Sequence, residues 1–238
     1  MEKLENIRRV RRMSLKLALS ACFICGILLN LNTASGTTST TGSSLTAAIL
    51  DQSGHAVEYA VVSLHTDTPS QADPSTVVVM DQRRLQFEPT VLAIQVGSNV
   101  SFPNEDDVRH HVYSFSHPNS FELKLYHGEG GQYQRFEHTG IVALGCNIHD
   151  GMLGFLRVVD TPYFATSDAS GSLEIENVPP GNYTIQLWHP DLGTRIVQQH
   201  ITMSAGPSNI SLSLDLDEKA PAPAKPSQVH PLQSLFRD

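Results

Sequence analysis

The run Gly145-Cys146-Asn147-Ile148-His149-Asp150-Gly151-Met152 sets a thiol, an imidazole and a thioether in one short loop, spaced Cys-x2-His-x2-Met. The pair His110-His111 lies well upstream, His110 standing 36 positions before the cysteine. One His of that pair, with Cys146 and His149, makes two nitrogens and one thiolate, and Met152 adds a long axial sulfur. That donor set describes a blue-copper electron-transfer site. Copper cycles between soft Cu(I) and harder Cu(II); sulfur favours the first and imidazole serves both. A site that suits both states moves little when the electron arrives or leaves. Cys146 is then the strong equatorial thiolate, His149 and the upstream His complete a trigonal plane, and Met152 is the weak axial ligand that tunes the potential. Asp150-Gly151 makes a tight turn plausible.

Taken singly, each residue has an ordinary reading. A lone Cys is a small buried hydrophobe, a nearby Met is core, and any one of eleven His is a surface residue. The combination is what points to copper. A structural zinc site wants more Cys or His and rarely takes Met. A c-type haem wants Cys-x-x-Cys-His, which the chain lacks. A papain-like Cys nucleophile needs a distant His partner, and here the nearest His is three residues on. No nucleophile elbow, P-loop or dinucleotide fingerprint occurs, and a Ser/His/Asp set drawn from so many candidates carries no information. One mononuclear ligand set does not support a multicopper oxidase or a nitrite reductase, so the chain reads as a non-enzyme.

The cysteines number three: Cys22, Cys25 and Cys146. The first two lie in an apolar run that follows Arg8, Arg9, Arg11, Arg12 and Lys16 and precedes the small residues Ala34 and Gly36. This is the layout of a secretory signal peptide over residues 1–36. The exported chain then keeps a single thiol, a liability unless something occupies it, and a metal would. The expected location is the periplasm. An uncleaved inner-membrane anchor facing the periplasm is the alternative, although an apolar core of about 15 residues is short for a span. Leu19-Ser20-Ala21-Cys22 looks like a lipobox but has almost no apolar stretch before it. The chain carries 16 Lys+Arg against 24 Asp+Glu; without residues 1–36, ten basic face 22 acidic residues, a net −12. That argues against nucleic acid, or a membrane after signal cleavage, as partner. It suits a partner with a basic docking face.

The elements that must position these ligands read as strands. Apolar or alternating runs at 45–50, 57–65, 77–80, 85–87, 91–96, 99–102, 111–115, 121–125, 132–138, 140–144 and 154–159 are separated by turn residues such as Asp51-Gln52-Ser53-Gly54 and Val96-Gly97-Ser98. In 57–65, Val57, Tyr59, Val61 and Ser63 would share one face. Past the signal segment no run holds a 3.6-residue apolar period. After Asp160, a turn at 166–171 enters an alternating strand, Asn177-Val178-Pro179-Pro180-Gly181 is another turn, and strands follow at 183–188, 196–203 and 209–214. Many short strands with Gly, Pro and Asp turns indicate an all-β sandwich or barrel. The tail from 218, rich in Pro and Ala, reads as disordered.

Two resemblances emerge. Residues 76–160 resemble a cupredoxin domain, in which an Asn stands shortly before a His-Asn-Val ligand stretch. Here Asn104 precedes His110-His111-Val112, so the resemblance gives His110 the ligand place. His111 replaces an Asn that helps tie the two ligand loops together, and the choice between His110 and His111 stays open. Thr139-Gly140, Leu144-Gly145-Cys146, His149 and the stretch from Met152 to Val158 resemble the last two strands and the ligand loop, with a short spacing more like amicyanin than plastocyanin. Residues 45–66 and 164–215 are similar to the two parts of a carboxypeptidase regulatory-like domain, a small transthyretin-like sandwich. The expected architecture is therefore a cupredoxin Greek-key β-sandwich inserted in or packed on that sandwich, after a signal peptide (1–36) and a linker (37–44). The arrangement resembles bacterial proteins named for methylamine utilisation.

These resemblances imply a single-electron carrier with one copper ion held by His110, Cys146, His149 and Met152, unless solvent replaces Met152. Its partners would be redox proteins such as a c-type cytochrome or a dehydrogenase, with the exposed edge of His149 as the exit. The alternatives are a copper-binding carrier or sensor, and a structural binding module with a metal site.

Overall fold

The computed structural model describes residues 43–216, which lie in one compact unit. The expected signal segment, residues 37–42 of the expected linker and the tail from 218 lie outside the described residues. The described chain is all-β, with one short 3-10 turn at Pro190–Leu192. Among the described residues no helix is long and apolar enough to cross a membrane.

One sandwich is built from both ends of this region. Its first sheet holds β1 (Ser43–Asp51), β14 (Ser172–Val178) and β17 (Ser208–Leu214), in the order β14-β1-β17. Its second holds β2 (Val61–His65), β13 (Phe164–Thr166), β15 (Gly181–Trp188) and β16 (Val197–Met203), in the order β13-β2-β15-β16. Period-two alternation explains the packing. Leu45, Ala47 and Ile49 of β1, and Tyr183, Ile185 and Leu187 of β15, all point into one core.

Between β2 and β13 the chain builds a second sandwich. One sheet runs β10-β7-β4-β5, from Gly128–Arg135, Asn99–Asn104, Asp81–Arg83 and Gln86–Glu88, with β3 (Val77–Val79) also paired to β7. The other runs β6-β12-β11-β8-β9, from Val91–Gln95, Leu153–Val159, Gly140–Gly145, His110–Ser114 and Phe121–Tyr126. Phe102, Phe121 and Phe136 stack in tilted and edge-to-face pairs 5.8 and 5.6 Å apart, and Met80, Phe87, Leu144 and Leu156 fill the space around them.

Strand β12 joins the two sandwiches. Phe155 packs on Trp188, 6.1 Å between ring centres. Arg157, buried beside them, donates to Gln186 Oε1 at 2.6 Å and to the carbonyls of Val158 and Gly140. Burial pushes its guanidinium down to about 10. A chain of bonds lies nearby: the Ser63 hydroxyl stands 2.8 Å from His65 Nε2, and His65 Nδ1 stands 2.7 Å from Asp160 Oδ1.

Several local expectations change. The strand expected over 57–65 begins only at Val61, because Tyr59 takes a positive φ of 66°. Ser167 holds that kink, its hydroxyl bonding Val57 O and the Ala60 amide, so Tyr59 does not continue the Val61 face. Leu85 is a turn residue with φ 60° rather than the start of a strand. Strand β10 covers Gly128–Arg135 rather than 132–138. Strand β14 takes in Asn177, at φ 56°, and Val178, so the expected turn narrows to Pro179-Pro180 before β15 begins at Gly181. The three-residue strands β4 and β13 carry no sequence period long enough to read.

Candidate metal centre

Strands β8 and β11 are neighbours, with Tyr113 opposite Gly145. That register sets His110, at the start of β8, close to Cys146, which follows the end of β11. A side chain at 145 would collide with Tyr113, since its Cβ would stand 2.9 Å from the ring; glycine permits the close approach. The pleat of β8 then separates the adjacent histidines. His110, Val112 and Ser114 are buried, whereas His111 and Tyr113 face the other side. His111 directs Nε2 to Glu122 Oε1 at 2.8 Å and packs on Tyr113. His110, not His111, faces Cys146.

His110, Cys146 and His149 form a cluster whose potential ligand atoms all lie within 4.8 Å of one another. Cys146 Sγ is 3.8 Å from His110 Nδ1 and 3.8 Å from His149 Nδ1. Donors about 2.0–2.3 Å from one ion and spread trigonally stand roughly 3.7 Å apart, so the spacing fits a shared metal. A thiol carries one proton and cannot satisfy two imidazole nitrogens at once. A cation accepting from all three lone pairs satisfies every donor. His110 and Cys146 are buried and His149 is half-buried. Met152 is also buried, in the same hydrophobic cluster as Cys146, and its amide donates to His149 O at 3.0 Å to close the loop.

The segment before His110 is held as tightly. Buried Asn104 donates from Nδ2 to Val108 O at 2.9 Å and Tyr126 O at 3.1 Å, and its Oδ1 accepts from the Asp106 amide at 3.0 Å. Asp106 in turn accepts from His110 Nε2 at 2.8 Å and from the amides of Arg84 and Leu85 at 2.5 and 2.8 Å. Burial pushes the Asp106 carboxyl up, but the Leu85, His110 and Arg84 donors outweigh it and hold the group below the usual carboxylate range. Nothing in the sequence alone singles out Asp106. The available signal is an acid four residues before a candidate ligand, which is visible only once that ligand is chosen. The same holds for Ser63, His65 and Asp160, which take hydrolase-like hydrogen-bond order. Ser63 is 1% exposed, which closes its hydroxyl to a substrate, so the set serves the seam between the sandwiches.

Exposed apolar side chains gather on the ligand-bearing segments: Val108, Ile148 and Leu153, each between 44 and 48% exposed.

A sequence model of the family described as polysaccharide lyase family 4, domain II, matches residues 154–209. That match covers most of the segment expected to resemble a carboxypeptidase regulatory-like sandwich, and gives it a different description. No curated protein matches the chain. Among solved structures, an amicyanin variant is 19% identical and covers 41% of this chain and 97% of its own, with a TM-score of 0.34. A purple cupredoxin from Nitrosopumilus maritimus is 20% identical, covers 35% and 99%, and has a TM-score of 0.31. A copper-containing nitrite reductase from Thermus scotoductus SA-01 is 25% identical and covers 40% of this chain but 26% of its own, with a TM-score of 0.35.

Proposed function

We propose that this protein is a blue-copper electron carrier. The observation that carries the reading is the convergence of His110 Nδ1 and His149 Nδ1 on the buried Cys146 sulfur. Bound copper would supply one reversible electron there. Cys146 would hold it with a thiolate, His110 and His149 with neutral imidazoles, and Met152 would offer a weak thioether sulfur. That mix of soft and intermediate donors suits both copper oxidation states. The burial of His110, Cys146 and Met152 would keep water from a bound ion. Half-buried His149 is the edge through which an electron passes, and Val108, Ile148 and Leu153 form the apolar rim against which a partner docks. The partner is a redox protein such as a c-type cytochrome or a dehydrogenase. We assign the chain no catalysis of its own, and place it in the periplasm, exported through residues 1–36.

Voltammetry and stopped-flow mixing test this. The copper-loaded chain should give a reversible one-electron wave and exchange electrons with a c-type cytochrome at about 10⁵–10⁷ M⁻¹s⁻¹, the usual range for protein encounters. Absence of a wave, with Cu(I) passing readily to a metal-free acceptor, would move the role to copper handling.

A further inference from the structure

We infer that Asp106 is a positioning residue that, anchored by two amides of the exposed turn between β4 and β5, fixes the ring tautomer and charge at the buried ligand His110; the inference rests on the copper reading. Its carboxylate is shared. Oδ2 accepts from His110 Nε2 and from the Leu85 amide, each at 2.8 Å, and Oδ1 accepts from the Arg84 amide at 2.5 Å. A carboxylate accepts and does not donate, so the ring proton belongs on Nε2. Nδ1 then presents a lone pair to the metal side, 3.8 Å from Cys146 Sγ. His110 is 0% exposed, so no water competes for that proton.

The turn carries its own sign of being held. Arg84 and Leu85 have φ of 54° and 60°, a conformation that two-residue hairpins normally give to Asn and Gly. Strained backbone persists where its surroundings over-determine it, and here two consecutive amides converge on one carboxylate. Arg83 pairs with Asp81 and Glu105 alongside. A full negative charge on the ring N–H raises the basicity of a ligating imidazole. It therefore favours the oxidised metal, and the two turn amides draw off part of that charge.

The test is a set of three variants. In Asp106→Asn an amide oxygen still accepts the ring proton, but the charge is gone. Oxidised copper should bind about tenfold more weakly relative to reduced copper, which reads as a potential about 59 mV higher, with the blue spectrum kept. Asp106→Ala should shift the potential further and broaden the spectrum. The pair Arg84→Asn with Leu85→Gly keeps both amides and relieves the turn, so the potential should stay at the wild-type value. Nitrogen NMR of the metal-free wild-type protein should show a single His110 tautomer protonated at Nε2. An unchanged potential in Asp106→Asn, a shift of similar size in the turn pair, or a metal-free His110 protonated at Nδ1 would overturn the inference. If the protein forms no blue site at all, the function fails, and the tautomer measurement still decides the role of Asp106.

Discussion

Two neighbouring histidines differ here only by which side of a strand they occupy. Successive strand residues face opposite sides, so the register that buries His110 turns His111 to Glu122. The loop Cys-x2-His-x2-Met was legible because three donor types sit within seven residues. The choice within the His pair was not, because one residue of register reverses it. His110→Ala should therefore cost at least ten- to a hundredfold in copper affinity, the range seen even for groups that only support a ligand. His111→Asn should leave affinity within about twofold. Competition titration against a copper chelator reads both.

At the scale of elements, alternating runs revealed most strands, and positive-φ residues hid their ends. Tyr59 and Leu85 take positive φ without being Gly, Asn or Asp, so nothing in their type announces a turn. Where glycine does appear, its reason differs from place to place. Gly154 lies under Phe87, and a Cβ there would stand 2.8 Å from that side chain's Cβ. Gly151, in the ligand loop, has open space around it. Gly154→Ala should lose about 1–3 kcal/mol, the usual cost of overpacking, and Gly151→Ala less than about 1 kcal/mol. Urea unfolding with a common m-value separates the two.

Across the whole molecule, the expectation of an insertion came from the resemblance of 45–66 and 164–215 to two parts of one small sandwich, and strands of both stretches do share its sheets. The seam that joins the sandwiches was not legible, since it depends on contacts between residues far apart in the chain. Trp188 sits at that seam, its indole donating to Gly193 O at 2.8 Å. Trp188→Ala should cost about 3–5 kcal/mol, read as a drop in urea midpoint. Burial, aided by nearby Arg157, lowers the His65 pKa from its usual value against the pull of Asp160. A folded value below the unfolded one means the neutral ring is favoured on folding. That stability is present above about pH 6.5 and is lost as pH falls through the lower folded value. Thermal midpoints of the wild type should therefore fall between pH 7.5 and 5 more steeply than those of His65→Gln; parallel slopes would remove His65 from the seam's pH dependence.

The electron-carrier role depends on Cys146 giving its thiolate to copper beside two imidazoles. Absorption and EPR spectra of the Cu(II)-loaded protein, recorded beside Cys146→Ser, test it most directly. An intense visible thiolate-to-copper band and a narrow copper hyperfine splitting are expected in the wild type, both lost in the variant. A pale Cu(II) spectrum with ordinary splitting, unchanged by the substitution, would contradict it.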